Sequence, residues 1–254
     1  MLDVRSIRKD FPIFNKGNNP LIYLDSASTT QKPHSVIDAI TSYYNSYTAN
    51  IHRALYTIGE KATDEYEKVR EKVKLFLNVP DTHSIIFTGG TTESINLVAH
   101  AWGIKFLEEK NNVIVSEMEH HSNLVPWQMV TEQKGALLKF IPLADGGTLN
   151  LKQLDSYFSS NTKLMSLVHQ SNVFGTVNPI KSLIDKAKSV GAITMIDGAQ
   201  AVPHSKVDIT QLDCDFYAFS GHKMTGPTGV LSLIHISEPT RPRLISYAVF
   251  CLKK

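Results

Sequence analysis

The sequence predicts an α/β fold, a mostly parallel sheet with helices on both faces. Two observations favour this class. Short runs rich in apolar and β-branched residues alternate with longer amphipathic segments along the chain, which is typical of successive βαβ units. The short runs are also almost continuously apolar, as expected of strands that helices cover on both sides.

Seven runs have the length and composition of buried strands. In chain order they are LIYLD, SIIFT, NVIVS, ALLKFI, KLMSLV, AITMID and DFYAF. The segment 60–79 between the first two has helical periodicity, and TTESINLVAHAW predicts a second, less regular helix. The apolar face of the first helix is expected to contain Tyr66, Val69, Val73, Phe76 and Leu77.

The composition excludes several classes of protein. With 42% hydrophobic and 20% charged residues, the 254-residue chain is expected to fold rather than to be disordered. A net charge of +2 provides no strong field for nucleic acid or a membrane surface. No signal peptide or membrane span is visible, so the expected location is cytoplasmic. The two cysteines, Cys214 and Cys251, lack the spacing of a metal site, and no metal is predicted.

Small, polar or ionisable residues follow five consecutive strand runs. GGTTES follows SIIFT, EMEHHSN follows NVIVS, HQSNVFGT follows KLMSLV, DGAQ follows AITMI, and SGHK follows DFYAF. In an open α/β sheet, ligands bind outside the carboxyl ends of the strands. We therefore expect the functional site at this edge.

GGTTES places a glycine pair before a helix that begins with the hydroxyls of Thr91 and Thr92. Free N–H groups at such a helix start, together with the helix dipole, can bind an anion. An ordinary N-cap with Glu93 near the dipole is the better interpretation of this motif taken alone. The Walker and dinucleotide glycine patterns are missing, so a nucleotide is not indicated.

Two further motifs are ambiguous when taken singly. Asp197 ends an apolar strand, where a carboxylate is costly unless a cation or a hydrogen-bond donor meets it; a turn aspartate is at least as good an interpretation. His120 and His121 are adjacent and point in different directions, which disfavours a shared metal. One imidazole could stack on an aromatic ligand, although a surface or structural histidine is the simpler alternative.

Lys223, in FSGHKMTGPTG, favours the functional interpretation of these motifs over the structural one. A lysine at a strand end inside a pocket has a lowered pKa, as a Schiff-base nucleophile requires. Ser220 and His222 beside it can donate to a phosphate. A lysine in a surface turn would not explain these neighbours. The motifs together supply a phosphate cradle, a carboxylate for a pyridinium nitrogen, a stacking imidazole and a lysine for an aldehyde, which predicts a pyridoxal 5'-phosphate site.

Seven segments carry a resemblance to a known family: YLDSASTTQKP, NIHRALYTIGEKAT, FTGGTTESINLVAH, EMEHHSNLVPWQ, HQSNVFGTVNPI, IDGAQAVPH and FSGHKMTGPTG. To about Val230 the chain resembles the class V aminotransferase group of fold-type I enzymes that use pyridoxal phosphate. It is most similar to the SufS-type (group II) cysteine desulfurases.

The resemblance implies a role for each matching residue. Lys223 would hold the cofactor covalently, and Asp197 would pair with its ring nitrogen. Gln200 and Asn172 would bond the ring oxygen, and His120 would stack on the ring. Thr92, Ser220 and His222, with Thr91 nearby, would bind the phosphate. His52 and Arg53 match a loop near the active site at a dimer interface.

The implied activity is conversion of L-cysteine to L-alanine, with persulfide sulfur passed to an acceptor protein of the Suf system for iron–sulfur cluster assembly. A homodimer is implied as well. Selenocysteine lyase and other class V enzymes, such as an aminotransferase on a small amino acid, are alternatives.

The end of the sequence departs from the family pattern. Residues 1–20 correspond to part of the family's small domain and residues 21–230 to the large domain, which is expected to be incomplete. Residues 231–254 are expected to be an unrelated tail, since SLIHISEPTRPR resembles translated adapter sequence. The small C-terminal domain, with its nucleophilic cysteine and substrate-binding arginine, is expected to be missing. Cys251, Arg241 and Arg243 have no matching context, so a non-catalytic fragment is a third alternative.

Overall fold

The computed structural model describes residues 3–15, 21–229 and the backbone of 231–236. The strands are β1 His83–Thr88, β2 Asn112–Ser116, β3 Leu137–Ile141, β4 Leu143–Ala144, β5 Thr148–Leu149, β6 Thr162–Val168, β7 Ile193–Asp197, β8 Phe216–Ser220 and β9 Leu231–Ile236. Seven of them form one sheet in the order β1-β9-β8-β7-β6-β2-β3, while β4 and β5 pair separately.

Ten α-helices occur in the described residues. They are α1 Val4–Lys9, α2 His34–Ser46, α3 Thr57–Leu77, α4 Thr91–Val98, α5 Ile104–Phe106, α6 Val125–Lys134, α7 Leu154–Tyr157, α8 Ile180–Ser189, α9 Ala201–His204 and α10 Ile209–Leu212. A π-helical turn, Ala99–Gly103, joins α4 to α5. None of these helices has both the length and the hydropathy needed to cross a bilayer.

The predicted parallel sheet is confirmed. Strands β3, β2, β6, β7 and β8 pair in parallel. Strand β9 lies antiparallel between β8 and β1. Because β9 reverses direction relative to both neighbours, β1 runs parallel to β8. The carboxyl ends of β1, β2, β6, β7 and β8 therefore lie at one edge of the sheet.

Alternate residues of the central strands pack on opposite faces of the sheet. On β2, Val113 and Val115 join a cluster that contains Trp127 of α6, whereas Ile114 joins a second cluster that contains Leu183 of α8. All five are fully buried. Both sides of each strand are thus covered, which explains why the strand sequences are continuously apolar.

The prediction of a strand at LIYLD is wrong. Residues 21–25 lie in neither a helix nor a strand, and they pair with no strand in the described part of the chain. Ile22 and Leu24 are 79% and 92% exposed. An apolar run becomes a strand only where a neighbouring strand can satisfy its N–H and C=O groups, and here no such neighbour is found.

The predicted apolar face of α3 is partly wrong. Leu77 is buried, Val73 packs against the core, and the ring of Tyr66 meets that of Phe87 edge-on. Val69 and Phe76 of the same predicted face are instead exposed. The helix presents more apolar surface than β1 can cover.

Part of the segment expected to be an unrelated tail takes part in the sheet. The backbone of Leu231–Ile236 pairs along its whole length with both β1 and β8. Residues 237–254, with Arg241, Arg243 and Cys251, lie outside the described residues. The domain boundaries at 20 and 230 remain predictions.

The turn after β7 depends on a glycine. A Cβ at Gly198 would lie 2.2 Å from the ring of Tyr217. That ring is fully buried, and its hydroxyl lies 3.0 Å from Nδ1 of His169. The ring therefore has no room to move aside, and the close approach of the two strand ends requires glycine.

We expect Gly198→Ala to destabilise the fold by about 1–3 kcal/mol through overpacking. Urea unfolding measures this free energy. In a double-mutant cycle, the same substitution made in a Tyr217→Ala background is expected to cost less, because the clashing ring is gone. An equal cost in both backgrounds would contradict the proposed clash.

Candidate active site

A pocket of about 740 Å³ lies at the carboxyl edge of the sheet. Its volume is within the range typical of small-molecule sites, about 300–1,000 Å³. The pocket wall brings together all nine residues predicted to bind a cofactor, namely Thr91, Thr92, His120, Asn172, Asp197, Gln200, Ser220, His222 and Lys223. They lie at or just after the carboxyl ends of five different strands and meet because those strands end at the same edge.

His52 and Arg53 do not line this pocket. They lie in the loop between α2 and α3, where the backbone N–H of His52 donates to Thr63 Oγ1 at 3.0 Å. The His52 ring meets Tyr66 edge-on and its Nε2 lies 3.9 Å from a carboxylate oxygen of Glu67. Their predicted position near the active site at a dimer interface stays a prediction.

The start of α4 has the geometry of an anion site. Gly90 is its N-cap, and no side chain caps the helix. Thr91 Oγ1 lies 2.6 Å from Ser220 Oγ, which ties α4 to the end of β8. The Glu93 carboxylate accepts from the N–H of Gly89, one residue before the cap. The first N–H groups of the helix can therefore meet a phosphate.

Asp197 is buried at the end of β7, and its Oδ1 accepts from the N–H of Ala199 at 2.9 Å. Burial raises the pKa of Asp197, while this hydrogen bond and the charges of Lys223 and His120 lower it. A cation inside the pocket would further stabilise the carboxylate. A protonated ring nitrogen is a suitable partner, and the residues present fit pyridoxal phosphate in this respect.

Lys223 ends a short 3-10 turn that follows β8. Burial lowers its pKa, and the charge of Asp197 opposes that shift. A lowered pKa increases the fraction of neutral amine near neutral pH, and the neutral amine is the form that attacks an aldehyde. The pKa of His222 is lowered too, mainly by burial and then by Lys223 and Lys32.

The side chains of the adjacent His120 and His121 point in different directions, as expected. Only His120 lines the pocket, and the two rings are inclined by 59°. The backbone N–H of Ser122 donates to Nδ1 of His120 at 3.1 Å. In the neutral ring Nδ1 is thus the acceptor, so the proton is on Nε2. This contact restrains the orientation of the His120 ring at the pocket wall.

Sequence reasoning missed Glu119. It is a half-buried residue whose carboxyl accepts from Ser116 Oγ at 2.5 Å, Asn123 Nδ2 at 2.6 Å and the N–H of Val168 at 3.0 Å. Burial raises its pKa to about 8, with a further contribution from Asp197. These bonds join the ends of β2 and β6 to the 3-10 turn His121–Asn123 that precedes α6. The position of Glu119 directly before His120 was the sequence feature that could have identified it.

Three residues that line the pocket were also missed by the sequence analysis. Ala27 and Ser28 line the wall, and the carbonyl of Ala27 accepts from Nε2 of Gln200 at 2.7 Å. Gln200 has a second N–H and an oxygen left for a ligand. Gln170 also lines the wall, and within the described residues its buried Oε1 has no hydrogen-bond partner.

Among the described residues, no group of three or more His, Cys, Asp or Glu side chains is arranged to hold a metal ion. Cys214 is buried after α10, and burial raises the pKa of its thiol to about 12. It does not line the pocket. Cys214 is therefore unsuited to act as a nucleophile toward a ligand in this site.

We expect Lys223 to react with an acylating reagent at lower pH in the folded chain than in the denatured chain, because burial lowers its pKa. Asp197→Asn removes the charge that favours the ammonium form, so the midpoint of the reaction's pH profile should move lower still. Mass spectrometry of the peptide containing Lys223 gives the profile. Equal midpoints in the folded and denatured chains would contradict the burial effect.

Comparisons with known proteins agree with this arrangement. The family model "Aminotransferase class-V" matches residues 22–243. A probable cysteine desulfurase of Halalkalibacterium halodurans is 47% identical over 231 residues, covering 90% of this chain and 57% of the relative. A cysteine desulfurase of Salmonella typhimurium is 47% identical over 237 residues, covering 92% and 58%.

Solved structures give the same result. The cysteine desulfurase CsdA from Escherichia coli superposes with a TM-score of 0.81 at 40% identity, covering 92% of this chain and 58% of that one. A cysteine desulfurase from Thermococcus onnurineus NA1 gives 0.85 at 36% identity, covering 92% and 57%. The chain thus spans 57–58% of the length of these relatives. Because the family model matches residues 22–243, and the sheet and pocket agree with that match, the chain belongs to the class-V aminotransferase family.

Proposed function

We propose that this chain is the cofactor-binding part of a pyridoxal phosphate-dependent cysteine desulfurase. The observation that carries the proposal is the meeting of Lys223 and Asp197 in one pocket with the start of α4. A nucleophilic amine, a buried carboxylate and an anion site are the three groups that this cofactor needs. The names of the relatives supply cysteine as the substrate.

Each part of the cofactor would be held by a different set of residues. Thr91, Thr92, Ser220 and His222 would bind the phosphate, Asn172 and Gln200 the ring oxygen, Asp197 the ring nitrogen, His120 the ring face and Lys223 the aldehyde. When bound, the cofactor supplies an electron sink that weakens the bonds at the Cα of an amino acid.

The chain's own groups would then orient the reactants and move protons. Nζ of Lys223 would accept the Cα proton of the substrate as a general base. Asp197 would keep a proton on the ring nitrogen by charge. The Nδ1 contact with the N–H of Ser122 would restrain the His120 ring as it stacks on the cofactor.

The sulfur step needs a thiol that the described residues do not provide at the pocket, since Cys214 is buried elsewhere. In the balanced reaction, L-cysteine and an enzyme thiol give L-alanine and an enzyme persulfide. The carbon–sulfur bond breaks and a sulfur–sulfur bond forms. We propose that this thiol and the arginine that binds the substrate carboxylate belong to a small C-terminal domain of the intact protein.

The same proposal covers the partners. The intact protein would be a cytoplasmic homodimer, with the loop of His52 and Arg53 near the active site at the interface. Its persulfide sulfur would pass to an acceptor protein of the Suf system for iron–sulfur cluster assembly. Comparing the turnover of cysteine, selenocysteine and cysteine sulfinate separates a desulfurase from a selenocysteine lyase or another class V enzyme.

The central test concerns Lys223. The chain, incubated with pyridoxal phosphate and reduced with borohydride, is expected to carry the cofactor on the peptide containing Lys223. Lys223→Arg should lose this adduct, because a guanidinium does not condense with an aldehyde at neutral pH, while Lys72→Arg on the exposed face of α3 should retain it. Mass spectrometry measures both.

Alanine formation from L-cysteine separates the remaining alternatives. Where the chain is active, Lys223→Arg should reduce the rate by about 10²-fold or more, as expected for loss of a general base. An adduct without alanine formation supports the interpretation as a cofactor-binding fragment. A chain that carries no adduct on Lys223 would contradict the proposed site.

A further inference from the structure

Residues 27–32, here called the strap, lie against the turn that contains Lys223. The carbonyl oxygen of His222 accepts from the backbone N–H of Thr30 at 2.9 Å and from Nζ of Lys32 at 3.1 Å. It also lies 2.9 Å from the hydroxyl of Thr30 and 3.3 Å from that of Thr29. Four donors of the strap thus converge on the peptide group that joins His222 to Lys223.

The Thr30 hydroxyl has a second contact. Its oxygen accepts from the backbone N–H of Thr225 at 2.8 Å while its proton is donated to His222. One hydroxyl therefore bonds the backbone on both sides of Lys223, one residue before it and two residues after it. Within the described part of the chain, neither Thr29 nor Lys32 bonds to the far side of the turn, which makes Thr30 different from its neighbours.

The turn needs such support. Thr225 has a φ of 64°, a left-handed conformation that is costly for a β-branched residue. Within the turn, the N–H groups of Met224 and Gly226 both bond to the carbonyl of Gly221. These bonds close the turn but do not hold it against the rest of the protein. The strap supplies that link across about 190 residues of sequence.

We propose that Thr30 is a positioning residue, whose hydroxyl holds the turn so that the amine of Lys223 faces the pocket. Thr30 does not line the pocket wall, whereas Lys223 does. Thr30 acts through the backbone, and small displacements of a reacting group reduce rates strongly. The inference rests on the proposed function only in naming pyridoxal phosphate as the reactant of Lys223.

The test compares three variants of the 254-residue chain. Thr30→Val keeps the shape of the side chain and removes both hydrogen bonds, Thr30→Ser keeps the hydroxyl, and Thr41→Val removes an exposed hydroxyl on α2 that donates to the carbonyl of Ile37. Thr30→Ala replaces Thr30→Val if the latter does not fold, as judged by near-ultraviolet circular dichroism.

Two readouts are measured on each folded variant. The first is the rate at which pyridoxal phosphate forms a borohydride-stable adduct on Lys223. The second is the rate of acylation of Lys223 without cofactor. Thr30→Val should lower the adduct rate about ten-fold, the change expected on loss of two neutral hydrogen bonds, and should change the acylation rate. Thr30→Ser and Thr41→Val should stay within about two-fold of the unmodified chain.

The outcomes separate the two proposals. If Thr30→Val matches the unmodified chain in both readouts, or merely lowers its stability with unchanged rates, Thr30 does not position Lys223. If Thr30→Ser fails to restore the rates, the methyl group rather than the hydroxyl matters, and the inference also fails. If the unmodified chain forms no adduct, the proposed function fails, and the acylation rates still decide the role of Thr30.

Discussion

The burial of Asp197 and Lys223 in one pocket is the constraint on which the rest of the site depends. Asp197 is buried and Lys223 is half-buried; burial raises the pKa of the carboxyl and lowers that of the amine, and the charge of Lys223 or Asp197 partly reverses the shift of the other group. The carboxylate of Asp197 and the amine of Lys223 can therefore both interact with a third charged group. The N–H of Ala199 orients the Asp197 carboxylate.

The sheet makes this arrangement possible. Asp197 ends β7, and Lys223 follows the neighbouring β8. Strand β9 sits between β8 and β1, and its first residue, Leu231, pairs with both Ser220 and Thr88. This pairing sets the distance between the ends of β8 and β1. The contact of Thr91 with Ser220, which closes the anion site, follows from it.

Much of this could be predicted from the sequence, because local composition reports local environment. Continuous apolar runs identified strands covered on both faces, and the residues after those runs identified the pocket wall. The prediction failed where a pattern needed a distant partner. LIYLD is apolar but has no neighbouring strand, and the face of α3 with Phe76 has no covering element among the described residues.

The contacts of Thr30 and Glu119 were not predictable for the same reason. In the sequence, Thr30 is one hydroxyl residue in a polar segment. Its partners His222 and Thr225 lie 192 and 195 positions away. Glu119 is one of two acidic residues in EMEHHSN, and nothing in that segment indicates its bond to Val168, 49 positions away. A sequence pattern identifies the groups that do chemistry by their type, whereas groups that hold them in place are defined only by the fold. Long-range hydrogen bonds to the backbone of a reactive turn are thus where the structure adds most.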